Sequence, residues 1–123
     1  MAQLAVDEVT EGQIQDNVRL ILGADRASVW WRNNVGVAKT DRGAVVRFGL
    51  FPGSADLIGC FRGRFVGVEL KTPVGRQSPE QKKWQRQVED RGGGLYFIVR
   101  SEDDAHALLA ELHRRFPAQE AAA

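Results

Sequence analysis

Apolar residues recur at helical spacing near the start of the chain, at Ile14, Val18, Ile21 and Leu22. Thr10 and Gln13 resemble a capping box, which predicts that a helix begins there. Gly23 is a typical end for it. Glu11 lies at the N-terminal end of the apolar face. Its position alone favours a carboxylate that interacts with the helix dipole.

Two further helices have clear start signals. Ser78 is a good N-cap, Pro79 fits the first helical position, and Gln81 completes a capping box. Trp84 and Val88 form a narrow apolar stripe on this helix, and three glycines follow from position 92. Ser101 is the N-cap of the last helix, whose apolar side consists of Ala105, Leu108, Leu109 and Leu112.

The strand signals lie mostly between the first two helices. β-Branched, aromatic or alternating residues predict strands at Ser28–Asn33, Ala44–Phe48, Asp56–Phe61, Phe65–Lys71 and Leu95–Val99. Gly36–Asp41 is polar, which predicts a turn or mobile loop. Arg62-Gly63-Arg64 is a hairpin turn with a basic tip. This order predicts an α/β fold with a mixed central sheet flanked by helices, in a single domain over residues 1–117, and a disordered tail over 118–123.

The composition is that of a globular protein: 123 residues, 43% hydrophobic and 27% charged. The single cysteine, Cys60, excludes an internal disulfide and is expected to be buried. No apolar run reaches the roughly 18 residues that a membrane span needs. The acidic N-terminus is unlike a signal peptide, so a cytoplasmic location is expected.

Charge is unevenly distributed although the net charge is only +1. Residues 19–91 are basic and both ends of the chain are acidic, an arrangement compatible with a phosphate-binding face. Each basic residue taken alone is also typical of ordinary solvated surface. The candidate DNA contacts are Arg42, Arg47, Arg62, Arg64, Arg76 and Lys82, with weaker candidates at Arg32, Lys39 and Lys83.

The strongest candidate chemistry is in the strand Phe65–Lys71. Alternation places Glu69 and Lys71 on one face, while hairpin pairing brings Asp56 close to Glu69. Two carboxylates suit a hard divalent cation, and the backbone carbonyl of Leu70 offers a further ligand. Lysine would orient the attacking water or neutralise charge in the transition state. The alternative is a solvent-exposed Glu–Lys pair on an exposed strand.

Asp56 followed by Glu69-Leu70-Lys71 resembles the signature of the PD-(D/E)xK nuclease superfamily. The surrounding residues resemble its virus-type replication-repair branch, the VRR-NUC domain. The matching segments are Glu11 with residues 13–15, residues 53–59, Glu69 to Pro73, Ser78 to Trp84, and Gly93-Gly94 before an apolar strand. Ala55 replaces the proline that names the superfamily; because that proline binds no metal, the chemistry is expected to be intact.

The resemblance implies a restriction-endonuclease-like αβββαβ core and a Mg²⁺- or Mn²⁺-dependent DNA endonuclease. Asp56 and Glu69 would bind the metal, Lys71 would be the catalytic lysine, and Glu11 and Gln81 would support the site. Relatives of phage and prophage origin act on branched DNA such as four-way (Holliday) junctions or flaps, which places the expected role in DNA repair.

A homodimer would suit a two-fold junction, and no nucleotide cofactor is expected. Two alternatives stay open. One is a non-cleaving nucleic-acid-binding module that retains the nuclease fold. The other is a structural protein of a phage particle.

Overall fold

The structure, a computed structural model, describes residues 11–34, 36–48 and 51–119, except for the side chains of Glu11, Arg47 and Phe48. Within these ranges the elements are α1 (Glu11–Gly23), β1 (Ser28–Arg32), β2 (Gly36–Lys39), β3 (Val45–Phe48), β4 (Leu57–Phe61), β5 (Arg64–Leu70), α2 (Pro79–Arg86), β6 (Leu95–Val99) and α3 (Glu102–Arg115). A π-helical turn, Gln87–Arg91, continues α2. None of the described helices has the length and apolar character that crossing a bilayer requires.

Four of the strands form a mixed sheet in the order β1-β4-β5-β6. β1, β4 and β5 pair antiparallel, whereas β5 and β6 pair parallel. The parallel pair is possible because α2 provides the crossover between β5 and β6. The predicted mixed α/β architecture in one small domain is therefore confirmed.

One face of the sheet packs against α1 and α3. The alternation predicted for β5 is confirmed, since Val66, Val68 and Leu70 all point into this core. Burying them removes apolar surface from water at about 25 cal/mol per Å², which is the main force holding both helices on the sheet. The same cluster contains Ile14, Val18, Leu22, Leu57, Phe61, Val99, Ala105, Leu108 and Leu112.

The opposite face of the sheet is partly covered by α2. Trp84 is 7% exposed and packs with the buried residues Ala55 and Tyr96. Its ring lies directly over Gly67, where an added Cβ atom would be only 2.8 Å from two ring carbons. Gly67 therefore lets α2 approach the sheet closely beside Glu69.

Replacing Gly67 by alanine should destabilise the protein by about 1–3 kcal/mol, because a rigid indole ring cannot move aside cheaply. Chemical denaturation monitored by circular dichroism measures the free energy of unfolding. Gly23→Ala is the matched control, since a Cβ at Gly23 has no atom within 4 Å. Equal stability of Gly67→Ala and the wild type would show that α2 does not pack this closely.

Three sequence predictions are wrong. The β4–β5 turn is Arg62-Gly63 and does not include Arg64, because Arg64 pairs with Phe61 as the first residue of β5. Gly36–Lys39 is a strand, not a loop, because it pairs antiparallel with Val45–Phe48 in a separate two-stranded ribbon. Cys60 is exposed, not buried. Cys60 lies between Val29 of β1 and Phe65 of β5 on the face that α2 leaves partly uncovered, and these neighbours are also exposed, at 67% and 40%.

The helix starts agree with the sequence wherever they are described. Ser78 and Gln81 form the predicted reciprocal capping box. The Ser101 hydroxyl accepts a hydrogen bond from the Asp104 backbone N–H, as an N-cap should. Thr10, the predicted cap of α1, lies outside the described residues, as do residues 120–123 of the predicted tail.

Candidate active site

Strand register brings Asp56 and Glu69 together. Leu57 pairs with Val68, so the preceding residue, Asp56, stands opposite Glu69. Asp56 Oδ2 also accepts a hydrogen bond of 2.7 Å from the Leu70 backbone N–H. Glu69 is only 2% exposed, whereas Asp56 is half-buried. The alternative of a solvent-exposed Glu69–Lys71 pair is therefore wrong.

The loop before Asp56 is held by backbone geometry and by one amide. Gly53 has a φ of +84°, and a Cβ there would lie 2.5 Å from the Glu80 carbonyl at the start of α2. The Asn33 side-chain amide donates to Ser54 Oγ at 2.8 Å and to the Ala55 carbonyl at 2.9 Å. The loop is thereby fixed against both β1 and α2, which sets the position of Asp56.

Both oxygens of Glu69 accept hydrogen bonds. Gln81 Nε2 donates to Oε1 at 2.9 Å, and the Tyr96 hydroxyl donates to Oε2 at 3.2 Å. Gln81 also accepts from the Ser78 backbone N–H through its own Oε1. Gln81 can therefore cap α2 and contact Glu69 at the same time, because its Oε1 serves the cap and its Nε2 donates to Glu69.

Electrostatics at Glu69 favour the protonated acid in the protein alone. Burial, in the first place, and the neighbouring Asp56 carboxyl raise the pKa of Glu69 to about 9. Lys71 and the Tyr96 hydroxyl lower this pKa, but by less. Burial beside the same carboxyls also raises the pKa of Tyr96, so its hydroxyl is a proton donor at neutral pH. The positive charge near the two carboxyls is therefore too small to keep both of them ionised in the protein alone.

Lys71 follows β5 immediately and is half-buried. Its backbone N–H donates to the Val99 carbonyl at 3.0 Å, which extends the pairing with β6. Arg100 holds the loop that follows, since its Nη1 donates to the carbonyls of Thr72 and Gly75 at 2.8 and 2.6 Å. The segment that carries Lys71 is thus anchored from β6.

Tyr96 was not among the residues predicted from sequence. Its hydroxyl accepts a hydrogen bond of 3.1 Å from Gln77 Nε2, which also donates to Gln85 at 2.7 Å. The only available signal was a tyrosine inside the apolar run Leu95–Val99, since a buried hydroxyl needs a partner. That signal could not have identified Glu69, 27 residues away, as the partner.

The basic candidates do not share one surface. Arg76 is exposed in the segment that joins β5 to α2, and Lys82 is exposed on α2 itself. Arg62 and Arg64 lie at the other end of β4 and β5, about 16 Å away over five residues at about 3.3 Å each. Arg42 is exposed at the turn of the β2–β3 ribbon. The side chains of Glu11 and Arg47 are not among those that the structure describes.

The donor set fits a hard cation bound by few protein ligands. Among the described side chains, no group of three or more His, Cys, Asp or Glu residues could hold a metal ion. Mg²⁺ commonly binds through one or two carboxylates, with water and substrate phosphate completing its shell. The Asp56–Glu69 pair, whose negative charge Lys71 offsets only in part, matches that requirement.

Comparisons with known proteins add no assignment. No protein-family model matches this sequence, and no curated protein matches it significantly. The residues of the site and their geometry are therefore the basis for a functional assignment.

Proposed function

We propose that this protein is a divalent-metal-dependent DNA endonuclease that hydrolyses phosphodiester bonds in branched DNA. The observation that carries the proposal is Glu69, a buried acid placed beside Asp56 on the same sheet face as Lys71. Burying an ionised carboxyl next to a second one costs stability, and a bound cation would offset that cost. The restriction-endonuclease-like core and the VRR-NUC resemblance are part of the same proposal.

Asp56 and Glu69 would hold Mg²⁺ or Mn²⁺, with the Leu70 carbonyl as a further ligand. The metal, when bound, supplies a Lewis acid that polarises the phosphoryl oxygen and lowers the pKa of water. The hydrogen bond from the Leu70 N–H fixes the orientation of the Asp56 carboxylate through Oδ2. Gln81 and Tyr96 orient Glu69 by donating one hydrogen bond to each oxygen.

Lys71 would contribute positive charge where negative charge develops on the phosphate. Lys71 lowers the pKa of Glu69, so the positive charge of its ammonium would act on the same site. In the proposed reaction this ammonium positions the attacking water or stabilises the phosphorane-like charge. Glu11 at the start of α1 remains a proposed supporting ligand.

The test is a cleavage panel of four-way junctions, flaps, nicked duplexes and single strands, with Mg²⁺, Mn²⁺ or EDTA. Metal-dependent cleavage of branched DNA, with little cleavage of linear duplex, is the expected result. Binding without cleavage under every condition would instead favour a non-cleaving nucleic-acid-binding module. The proposed homodimer is tested separately by sedimentation, with and without a junction.

Tyr96→Phe should weaken metal binding about 10- to 100-fold, because Glu69 Oε2 loses the donor that orients it. Mn²⁺ titration followed by electron paramagnetic resonance measures the affinity directly, and the Mn²⁺ concentration for half-maximal cleavage provides a second readout. The phenyl ring still packs against Trp84, whose ring centroid is 5.9 Å away, so the melting temperature should change little. Unchanged Mn²⁺ affinity would remove Tyr96 from the site.

A further inference from the structure

Three arginines meet at the end of the sheet opposite the carboxyls. Arg62 and Arg64 come from the β4–β5 hairpin, and Arg115 is the last residue of α3. With Phe116 they line an open hollow of about 500 Å³, which Pro117 and Gln119 complete. We call Arg62, Arg64, Arg115 and Phe116 the arginine end.

Aromatic rings hold these guanidinium groups in place. The Arg64 guanidinium carbon lies 3.9 Å from the centroid of the Phe116 ring, and that of Arg115 lies 5.2 Å from the same ring. Phe116 itself packs against the main core. Stacking on a ring uses the flat face of a guanidinium and leaves its N–H edge for other acceptors. Arg64 Nη1 donates to the Arg62 carbonyl at 3.2 Å, and its other N–H groups can bind an anion.

None of the three arginines forms a salt bridge within the described residues. The neighbouring acids are already engaged: Glu111 pairs with Arg114, and Asp25 pairs with His113. Arg62 is linked to the same loop as Asp25, since its backbone N–H donates to the Ala27 carbonyl at 3.1 Å. Among the described residues the arginine end is therefore a concentration of positive charge without a direct ion pair, although Arg115 acts on Glu111 from a greater distance.

The backbone at Arg62 supports a role beyond folding. Arg62 and Gly63 have φ values of +44° and +85°, as the two central residues of a type I′ hairpin turn require. Asn, Asp or Gly is favoured at the first of these positions, and arginine is strained there. A residue that conflicts with its local turn is expected at functional sites.

We infer that the arginine end is a second nucleic-acid-binding site, which holds the phosphodiester backbone of a DNA arm other than the one being cut. Arg64 is on the α1 and α3 side of the sheet with Val66, whereas Glu69 points to the α2 side. The two sites therefore lie at opposite ends and on opposite faces. The choice of DNA as the ligand rests on the proposed function.

The test measures binding to a four-way junction in EDTA across a range of salt concentrations, so that it does not depend on cleavage. Arg62→Asn, Arg64→Gln and Arg115→Gln together should weaken binding and reduce the salt slope by up to about 0.9 for each lost phosphate contact. Arg62→Asn alone should not lower the melting temperature, because asparagine accepts a positive φ.

Arg114→Gln is the matched control for Arg115→Gln, since Arg114 is adjacent on α3 but paired with Glu111. If these two variants lost the same amount of junction affinity, the effect would come from net charge alone and the inference would be overturned. An unchanged salt slope in the triple variant would also overturn it. Equally tight binding of polyglutamate would overturn the assignment to phosphate. If the wild type cuts no DNA, the proposed function fails while this binding comparison still decides the second site.

Discussion

Glu69→Gln should reduce metal-dependent cleavage of branched DNA by at least about 10³-fold. Glutamine is neutral and binds a hard cation weakly, so the site would lose one of its two carboxylates. Asp56→Asn should have the same effect for the same reason. Single-turnover cleavage of a labelled junction with saturating Mg²⁺ or Mn²⁺ measures the rate.

Folding of these variants can be separated from their chemistry. In the metal-free wild type, the raised pKa of about 9 keeps Glu69 mostly protonated at pH 7, so glutamine is a close neutral substitute. The free energy of unfolding in EDTA should therefore change by less than about 1 kcal/mol. Glu89→Gln, which neutralises an exposed acid in the π-helical turn, is the matched control and should cut normally. Wild-type cleavage by either Glu69→Gln or Asp56→Asn would show that the site is assigned wrongly.

Lys71→Ala should slow cleavage by about 10²–10³-fold while leaving junction affinity close to the wild-type value. The ammonium is expected to act more strongly on the transition state than on bound DNA, so the loss appears in the rate at saturation. Lys71→Arg should not restore the rate, because a planar guanidinium does not replace a compact ammonium in a half-buried position. Binding in EDTA and single-turnover rates with Mn²⁺ give the two quantities independently.

Lys83→Ala is a suitable comparison for Lys71→Ala, since Lys83 is an exposed lysine of α2. Its loss should leave the rate at saturation unchanged. A Lys71→Ala enzyme that cuts at the wild-type rate would exclude a role for Lys71 in the chemistry. If the wild type binds junctions and neither protein cuts them, the binding-module alternative replaces the nuclease proposal.

Local pattern was enough to predict the parts of the site that lie on one hairpin and one helix start. Alternation along β5 separates Glu69 from Val68 and Leu70, and hairpin pairing was enough to predict that Asp56 comes close to Glu69. The exact register was not predicted, because the turn is two residues long and not three. Ser78, Pro79 and Gln81 likewise predict the start of α2 because a cap depends on residues within one turn. These features depend on residues that are close together in the sequence, so they can be predicted from it.

Contacts between distant segments were decided only by the tertiary structure. Tyr96 reaches Glu69 because β6 pairs parallel to β5, and Asn33 reaches the loop before Asp56 because β1 pairs with β4. When two strands are joined by a long crossover, the sequence of neither strand shows which of their residues will pair. The sequence therefore determined the acids and the lysine, whereas the structure determined which polar groups orient them.

The layers of the fold decided exposure and the separation of the basic residues. Cys60 is apolar and central in β4, yet it is exposed because α2 covers only part of its sheet face. Arg62 and Lys82 both belong to the basic middle of the sequence, but one lies at the hairpin tip and the other on α2. The position of a charge along the chain does not say which surface carries it until the elements pack. The sequence alone therefore determined a basic region, and the tertiary structure separated its residues onto different surfaces.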